Sequence, residues 1–204
     1  MNNEMKIYCA NLKEYVKFRG GERLCDIYER LKERIGITPI CARVNNKTEN
    51  MSYPVFSPKQ VEFLDASSPS GRRVYVHSLC MVLYKAVHDA FPGIKLRIEH
   101  SISNVYYALF IQDGEILVPA PAMVTTIRHK MREIVEANMP FVRHEKLTTD
   151  VVKIFKKQGL DDKVKLMKYS QDLYTVYYTL DGLADSFYGN LAPSTGFLKV
   201  FDLQ

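Results

Sequence analysis

Apolar and polar positions alternate in short runs along the first part of the chain, and one run switches to helical spacing. Two alternating runs joined by a tight connection predict a hairpin, and later runs predict two more strands and a short crossing segment. The helical run from Leu24 to Ile35 stops at Gly36. The predicted strands cover residues 6–10, 14–18, 40–44 and 60–64, with the crossing segment at 54–56.

The order hairpin, helix, strand, turn and final strand is that of a ubiquitin-like β-grasp. About 65 residues can build one sheet packed on one helix, so we predict a first domain over residues 1–66. Residues 67–71 are small, polar and helix-breaking, which favours a domain boundary there. A second α+β domain is then predicted over residues 72–204.

The second region opens with a long apolar-striped helix that Pro92 and Gly93 end. Strands are predicted next, then a second helix, then a basic helix whose first residues, 148–150, are suitable caps. The chain ends in aromatic, β-rich sequence. The predicted strands of this region are 95–99, 104–112, 174–178 and 197–201.

The composition is that of a soluble globular protein, with 47% hydrophobic and 25% charged residues. No apolar run approaches the roughly 20 residues that a membrane-spanning helix needs. Residues 1–6 hold no hydrophobic signal core, so a cytoplasmic location and no membrane partner are expected. The four cysteines are scattered without a CxxC pair, and we expect neither a metal site nor a cofactor in this segment.

Positive charge is concentrated late in the chain, although the formal net charge is only +5. Residues 146–168 hold seven lysines and three aspartates. This run is either a solvated helix face or a surface for RNA phosphates. On the second interpretation Lys153, Lys156 and Lys157 are the candidate contacts.

Four segments of the chain carry a family resemblance, and they are residues 41–47, 77–83, 91–96 and 104–110. Together they resemble a TGS domain, which is a β-grasp module, followed by the second N-terminal domain of threonyl-tRNA synthetases. The first is similar to the strand and "VNG"-like turn of TGS domains, and the second to a helix that carries HxxxH in the synthetases. The last two are similar to the "YPG.KL" and "GFYYDF" stretches that follow that helix.

In editing members of that family, the two HxxxH histidines join a cysteine and a later histidine to hydrolyse mischarged tRNA. Here His77 matches the first position, but Met81 occupies the second. The resemblance places Phe187 at the cysteine and Leu191 at the later histidine. A thioether neither shuttles protons nor suits a water-activating metal site, so the resemblance implies that catalytic editing is lost. His77 and Cys80 could still share a metal, but two ligands do not make a zinc site.

Two hypotheses follow from these residues and the resemblance. The preferred one is a non-catalytic binding or regulatory module at the front of a larger enzyme. That enzyme would be either uridine kinase-like, with a P-loop kinase domain following in the same chain, or related to threonyl-tRNA synthetase. Its partners would be tRNA, other RNA or a nucleotide, with His77, Tyr106 and Tyr107 as further contacts; paired tyrosines in strands otherwise pack one inward and one outward. The alternative is a divergent aminoacyl-tRNA deacylase built around His77, and a purely structural appendage is a third possibility.

Overall fold

The computed structural model describes residues 4–102 and 105–204, and shows a mixed α and β architecture, as predicted. Asn104, part of the last family-like segment, lies outside the described residues. The strands are β1 Glu4–Cys9, β2 Glu14–Arg19, β3 Glu22–Arg23, β4 Cys41–Val44, β5 Lys47–Glu49, β6 Pro54–Val55, β7 Gln60–Leu64, β8 Lys95–Ile102, β9 Val105–Gln112, β10 Glu115–Leu117, β11 Val142–Leu147, β12 Tyr174–Leu180 and β13 Leu183–Asp185. The helices are α1 Leu24–Ile35, α2 Pro69–Ala90, α3 Pro121–Glu136, α4 Thr148–Lys157 and α5 Asp161–Ser170, with a short 3-10 turn at Thr195–Phe197.

Two compact units make up the chain. The first contains residues up to Ser78 together with Tyr188–Phe197, and the second contains Leu79–Phe187 together with Leu198–Gln204. Helix α2 contributes residues to both units. The predicted domain limits, 1–66 and 72–204, stay a prediction, since a contact-based unit need not coincide with a domain.

A five-stranded sheet in the order β2-β1-β7-β4-β5 forms the first unit. Strands β1 and β2 are an antiparallel hairpin, β1 runs parallel to β7, and β4 is antiparallel to both β7 and β5. The predicted hairpin, helix and later strands of this region are therefore confirmed, with end points shifted by one or two residues. Among the described residues of this sheet, the β1–β7 pair alone is parallel, and the chain between these strands contains α1.

One face of this sheet packs against α1 and forms the core of the first unit. The alternation of β1 and β2 points Ile7, Val16 and Phe18 inward, where they meet Leu24 and Ile27 of α1. Each fully buried aliphatic or aromatic side chain of this kind stabilises the fold by about 1.5–3 kcal/mol. The outward positions of β1 and β2 are polar or tyrosine, so the opposite face of this hairpin is open to solvent.

Helix α2 begins earlier than the sequence suggested, at Pro69, inside the segment predicted to be a linker. Gly71 explains how this start is possible. A Cβ at Gly71 would lie 1.8 Å from the backbone oxygen of Asp65 and 2.9 Å from Ser68 Oγ. Only glycine therefore allows the first turn of α2 to pack so closely on the preceding backbone.

The second unit contains two three-stranded sheets, β10-β9-β8 and β11-β12-β13, with antiparallel pairing throughout. Helices α4 and α5 pack on the second of these sheets through a small buried core. Its members are Val151, Phe155, Val164, Met167, Tyr177 and Ala184.

Three predictions in the second region are wrong. Residues 198–201 are not a strand, and only Leu198 of that run is fully buried, while Val200 is exposed. The basic helix is two helices, because Gly159 takes a left-handed φ of 72° between α4 and α5. Thr148 does not cap α4: its hydroxyl donates to the carbonyl of Asp172 and contacts Thr175 Oγ1.

No helix within residues 4–102 and 105–204 is long and apolar enough to cross a membrane.

Candidate functional site

His77 is half-buried on the part of α2 that belongs to the first unit. Gly189, at a φ of 110°, lies beside it, and a Cβ there would be 3.7 Å from His77 Nδ1, an ordinary van der Waals contact. Burial, and secondarily the positive charge of Arg73, lower the pKa of His77. The imidazole is therefore neutral at neutral pH, a form that can accept a proton.

The segment beside Gly189 is fixed to the first unit by specific hydrogen bonds. The amide of Ala192 donates to Ser78 Oγ at 2.8 Å, and that hydroxyl donates to the carbonyl of Val74 at 2.7 Å. Asn190 Nδ2 donates to the carbonyl of Thr48 at 2.7 Å. Leu191 lies between these anchored residues and is only 1% exposed, so the position that the resemblance assigns to a histidine holds a buried aliphatic side chain.

The other two positions assigned by the resemblance belong to the second unit. Met81 is completely buried, with 0% of its surface exposed. Phe187 is half-buried, and Lys163 Nζ lies 5.2 Å from the centre of its ring, a cation–π distance. Neither side chain has a group that titrates.

A partly buried ion pair joins Lys163, which is 33% exposed, to the buried Asp185, and the sequence did not predict it. Lys163 Nζ donates to Asp185 Oδ1 and, at 3.1 Å, to the carbonyl of Ser186. The amide of Ser186 donates to the same carboxylate oxygen at 2.7 Å. Burial raises the pKa of Asp185, and Lys163 and the Ser186 amide oppose that rise. No local pattern could have revealed this pair, because 22 residues separate its members.

Cys80 and Tyr84 lie in the electrostatic field of Asp185. Burial, with the Asp185 charge adding to it, raises the pKa of Cys80 to about 11. The same two causes raise the pKa of Tyr84. Both groups are therefore protonated at neutral pH, so Cys80 is neither a ready nucleophile nor a ready metal ligand. Within the described residues, no group of three or more histidine, cysteine, aspartate or glutamate side chains could hold a metal ion.

The tyrosine pairs divide into an exposed and a buried set. Tyr106 and Tyr107 on β9 are each about half exposed, so neither is held in a core and both are accessible to a ligand. Tyr177 and Tyr178 on β12 are buried. Because both rings are buried, Tyr177 and Tyr178 are not accessible for stacking on bases.

The basic run is only partly a surface. Lys153, Lys156 and Lys157 are exposed on α4, and Lys153 forms an ion pair with Asp150 at 2.7 Å. Such exposed pairs contribute little and are easily exchanged for another anion. Lys163 instead turns to Asp185, so it does not belong to the exposed set.

Comparison with known proteins agrees with the resemblance. The chain is 29% identical over 197 residues to a protein of Desulforamulus reducens, 29% over 184 residues to one of Rubrobacter xylanophilus, and 26% over 189 residues to one of Parabacteroides distasonis. These alignments cover 96%, 90% and 93% of this chain. These relatives are threonine–tRNA ligases.

The chain spans only about 30% of the length of the curated relatives that it matches, 30% for the first and 28% for the other two. The matched part is their N-terminal region, so the predicted resemblance to that region is confirmed. No family model matches the chain. The TGS assignment and the link to uridine kinase-like proteins stay predictions.

Proposed function

We propose that this chain is a non-catalytic, tRNA-contacting module at the front of a threonyl-tRNA synthetase-like enzyme. On this proposal the first unit is a TGS-type β-grasp, and the second unit derives from an editing domain. The strand order β2-β1-β7-β4-β5 and the packing of α1 on one face of that sheet support the β-grasp assignment.

The complete burial of Met81 carries the non-catalytic part of the proposal. Hydrolysis of an ester needs a group that accepts a proton from water or orients a metal-bound water. A methionine with 0% exposure can do neither, and Leu191 is buried as well. The remaining histidine, His77, has lost the partners that the family's chemistry uses.

Exposed lysines on α4 supply the RNA-contacting part. Lys153, Lys156 and Lys157 lie on one short helix, and their ammonium groups are available to backbone phosphates. Each lysine that meets a phosphate contributes about one unit to the salt dependence of binding. Tyr106 and Tyr107, both accessible, are candidate stacking partners, although their role stays a proposal.

The test is binding of a threonine-accepting tRNA transcript to the wild-type chain and to the triple variant Lys153→Glu, Lys156→Glu, Lys157→Glu. We expect the variant to bind more weakly and the slope of log affinity against log salt to fall by about three. The matched control is Lys95→Glu, Arg132→Glu, Lys199→Glu, which makes the same charge change at exposed positions of the same unit. Equal weakening by both triple variants would show a non-specific charge effect and reject α4 as the contact.

A divergent deacylase built around His77 is the second candidate, and the lowered pKa of the half-buried His77 favours it. A neutral imidazole can accept a proton from an attacking water. Incubation of the chain with serine-charged threonine tRNA distinguishes the two functions. We expect hydrolysis no faster than in buffer. Faster hydrolysis that disappears in His77→Ala would establish the deacylase.

The identity of the larger protein is a separate proposal. Synthetase peptides from the source cells, found in one polypeptide with this sequence, would support the synthetase-like assignment. A peptide with the phosphate-loop pattern GxxxxGK[ST] in that polypeptide would instead support the uridine kinase-like one.

A further inference from the structure

A solvent-open depression of about 460 Å³ lies on the first unit, and neither the resemblance nor the proposed α4 contact involves it. Its lining includes Lys6 and Tyr8 of β1, Tyr15 of β2, and Asn45, Lys59 and Gln60. A volume of this size is in the range of small-molecule sites. The lining combines two aromatic rings, two ammonium groups and two amides.

The aromatic part is a registered cross-strand pair. Tyr8 lies opposite Tyr15 in the β1–β2 hairpin, and their ring centres are 5.3 Å apart in an edge-to-face arrangement at 63°. Tyr15 remains 71% exposed, so this ring contributes little to the core. The pair holds one tyrosine ring in a defined orientation while leaving its surface accessible.

The polar rim is anchored by backbone hydrogen bonds. The Tyr8 amide donates to the carbonyl of Lys59 at 2.9 Å, which fixes Lys59 beside the tyrosine. Asn45 takes a left-handed φ of 53°, its amide donates to the carbonyl of Gln60 at 2.8 Å, and its Oδ1 accepts from the Gln60 amide at 3.1 Å. The depression is therefore built from strand and turn backbone whose geometry is fixed.

The charge of this face is positive. Lys6 lies directly opposite Lys17 in the hairpin, a like-charge arrangement that opposes strand pairing unless an anion is shared. Two glutamates near the lining in sequence are each engaged with an arginine, Glu14 with Arg34 at 2.8 Å and Glu62 with Arg43 at 2.8 Å. Lys6 and Lys59 supply positive charge at the rim.

We propose that this depression binds one nucleotide of a single-stranded RNA segment. The base stacks on Tyr15, the flanking phosphates lie against Lys6 and Lys59, and Asn45 and Gln60 face the base edge. Aromatic stacking together with a basic groove is the combination by which proteins hold single strands. This inference rests on the proposed function and deepens it. It adds to the α4 contact a second RNA contact, which lies on the first unit, and its test uses a different probe.

The experiment measures binding of a fluorescein-labelled single-stranded RNA decamer to the full chain by anisotropy. We expect Tyr15→Ala to weaken binding between about fivefold and one hundredfold, and Tyr15→Phe to retain it within about twofold. Lys6→Glu with Lys59→Glu should lower the salt slope by about two. The matched controls are Phe56→Ala, a similarly exposed aromatic of the same unit outside the depression, and Lys32→Glu with Lys47→Glu, which makes the same double charge reversal at exposed positions of that unit outside the depression.

Photocrosslinking of a decamer that contains 4-thiouridine provides a second readout, with the crosslinked peptide expected to contain Tyr15.

No detectable decamer binding by the wild-type chain would overturn the inference. So would equal binding by wild type and Tyr15→Ala, or equal losses in Tyr15→Ala and Phe56→Ala. Loss of tRNA binding in the α4 variant with unchanged decamer binding supports both proposals. Decamer binding that depends on Tyr15, with tRNA binding unaffected by the α4 variant, rejects the α4 contact alone.

Discussion

Replacing Lys163 with methionine tests the partly buried ion pair of the second unit. The substitution keeps the unbranched length of the side chain up to Cε, replaces one methylene by sulfur and removes the ammonium group. It leaves the Asp185 carboxylate, whose side chain is 9% exposed, with the Ser186 amide as its remaining hydrogen-bond donor among the contacts described above. The carboxyl must then either stay charged in a low-dielectric site or take up a proton.

The cost of protonation sets a ceiling on the loss of stability. Holding a proton on a carboxyl with an ordinary pKa of 3.8 costs about 1.4 kcal/mol for each pH unit above that value. The ceiling is therefore about 4 kcal/mol at pH 7 and about 2 kcal/mol at pH 5. Because the folded pKa of Asp185 is already raised, this group's contribution to stability falls as pH rises from its unfolded pKa toward its folded pKa. Loss of Lys163 raises the folded pKa of Asp185 further, so the pH range over which this contribution falls extends toward neutral pH.

The matched variant is Asp185→Asn, which removes the other charge. Lys163 is 33% exposed, so its ammonium group can turn to water and also keeps the carbonyl of Ser186. We therefore expect a loss of about 1 kcal/mol, smaller than in Lys163→Met. Combining the two substitutions should recover part of the Lys163→Met loss, since no unpaired carboxylate remains.

Urea unfolding followed by far-UV circular dichroism at pH 7 and pH 5 measures these differences. The expected order at pH 7 is a large loss for Lys163→Met and a small one for Asp185→Asn, with the gap narrowing at pH 5. Two results contradict the reasoning: equal losses in the two single variants, or a Lys163→Met loss that does not change with pH.

Three further predictions concern other parts of the chain. Gly71→Ala should lower the free energy of unfolding by about 3 kcal/mol, because the new Cβ would lie 1.8 Å from the Asp65 oxygen. Thermal denaturation checks this. Helix propensity alone favours alanine over glycine by about 1 kcal/mol, so a gain in stability, or a loss under about 1 kcal/mol, would contradict the prediction. Cys80 has a pKa of about 11, so only about one in a thousand of its side chains should be a thiolate at pH 8. Iodoacetamide should therefore label Cys80 much faster in urea than in the folded chain. Equal labelling rates in the two conditions would be inconsistent with burial. The NMR titration midpoint of His77 should lie below 6.5 and rise in Arg73→Ala, where the repelling positive charge is gone; no change in that variant would remove Arg73 as a cause.

The first unit was the more predictable part of the fold. Its strands are short, buried on one face and bounded by turn residues, so alternation alone located β1, β2 and β7. Helix α1 shows the same one-sided pattern and ends at Gly36, whose φ is 70°. In such elements the local sequence pattern and the tertiary packing favour the same secondary structure.

The second unit was less predictable because its elements depend on distant partners. Strand β11 has the sequence VRHEKL, which shows no apolar alternation, and it exists through its registered pairing with β12. His144 on that strand has only polar neighbours in sequence, yet it is half-buried, stacks on Tyr177 and contacts Thr179 Oγ1 at 2.9 Å. The run at 197–201 is apolar at four of its five positions, unlike β11, but it forms a turn followed by irregular chain.

Of the candidate site, Lys153, Lys156 and Lys157 are exposed on α4, as either a solvated helix face or an RNA surface requires, and their role as RNA contacts stays a prediction. The sequence could not anticipate the Lys163–Asp185 pair or the Tyr8–Tyr15 depression. Both arise from register and from packing between elements far apart in the chain, which composition and local spacing do not encode.

Strand β11 has a further consequence for the behaviour of the protein in solution. It forms one edge of the β11-β12-β13 sheet, where unpaired backbone groups would otherwise recruit a strand from another molecule. Arg143, Glu145 and Lys146 are exposed along it, so a second chain docking there would have to desolvate three charges. The polar sequence of β11 does not predict a strand, and the same polar side chains protect the sheet from edge-to-edge aggregation.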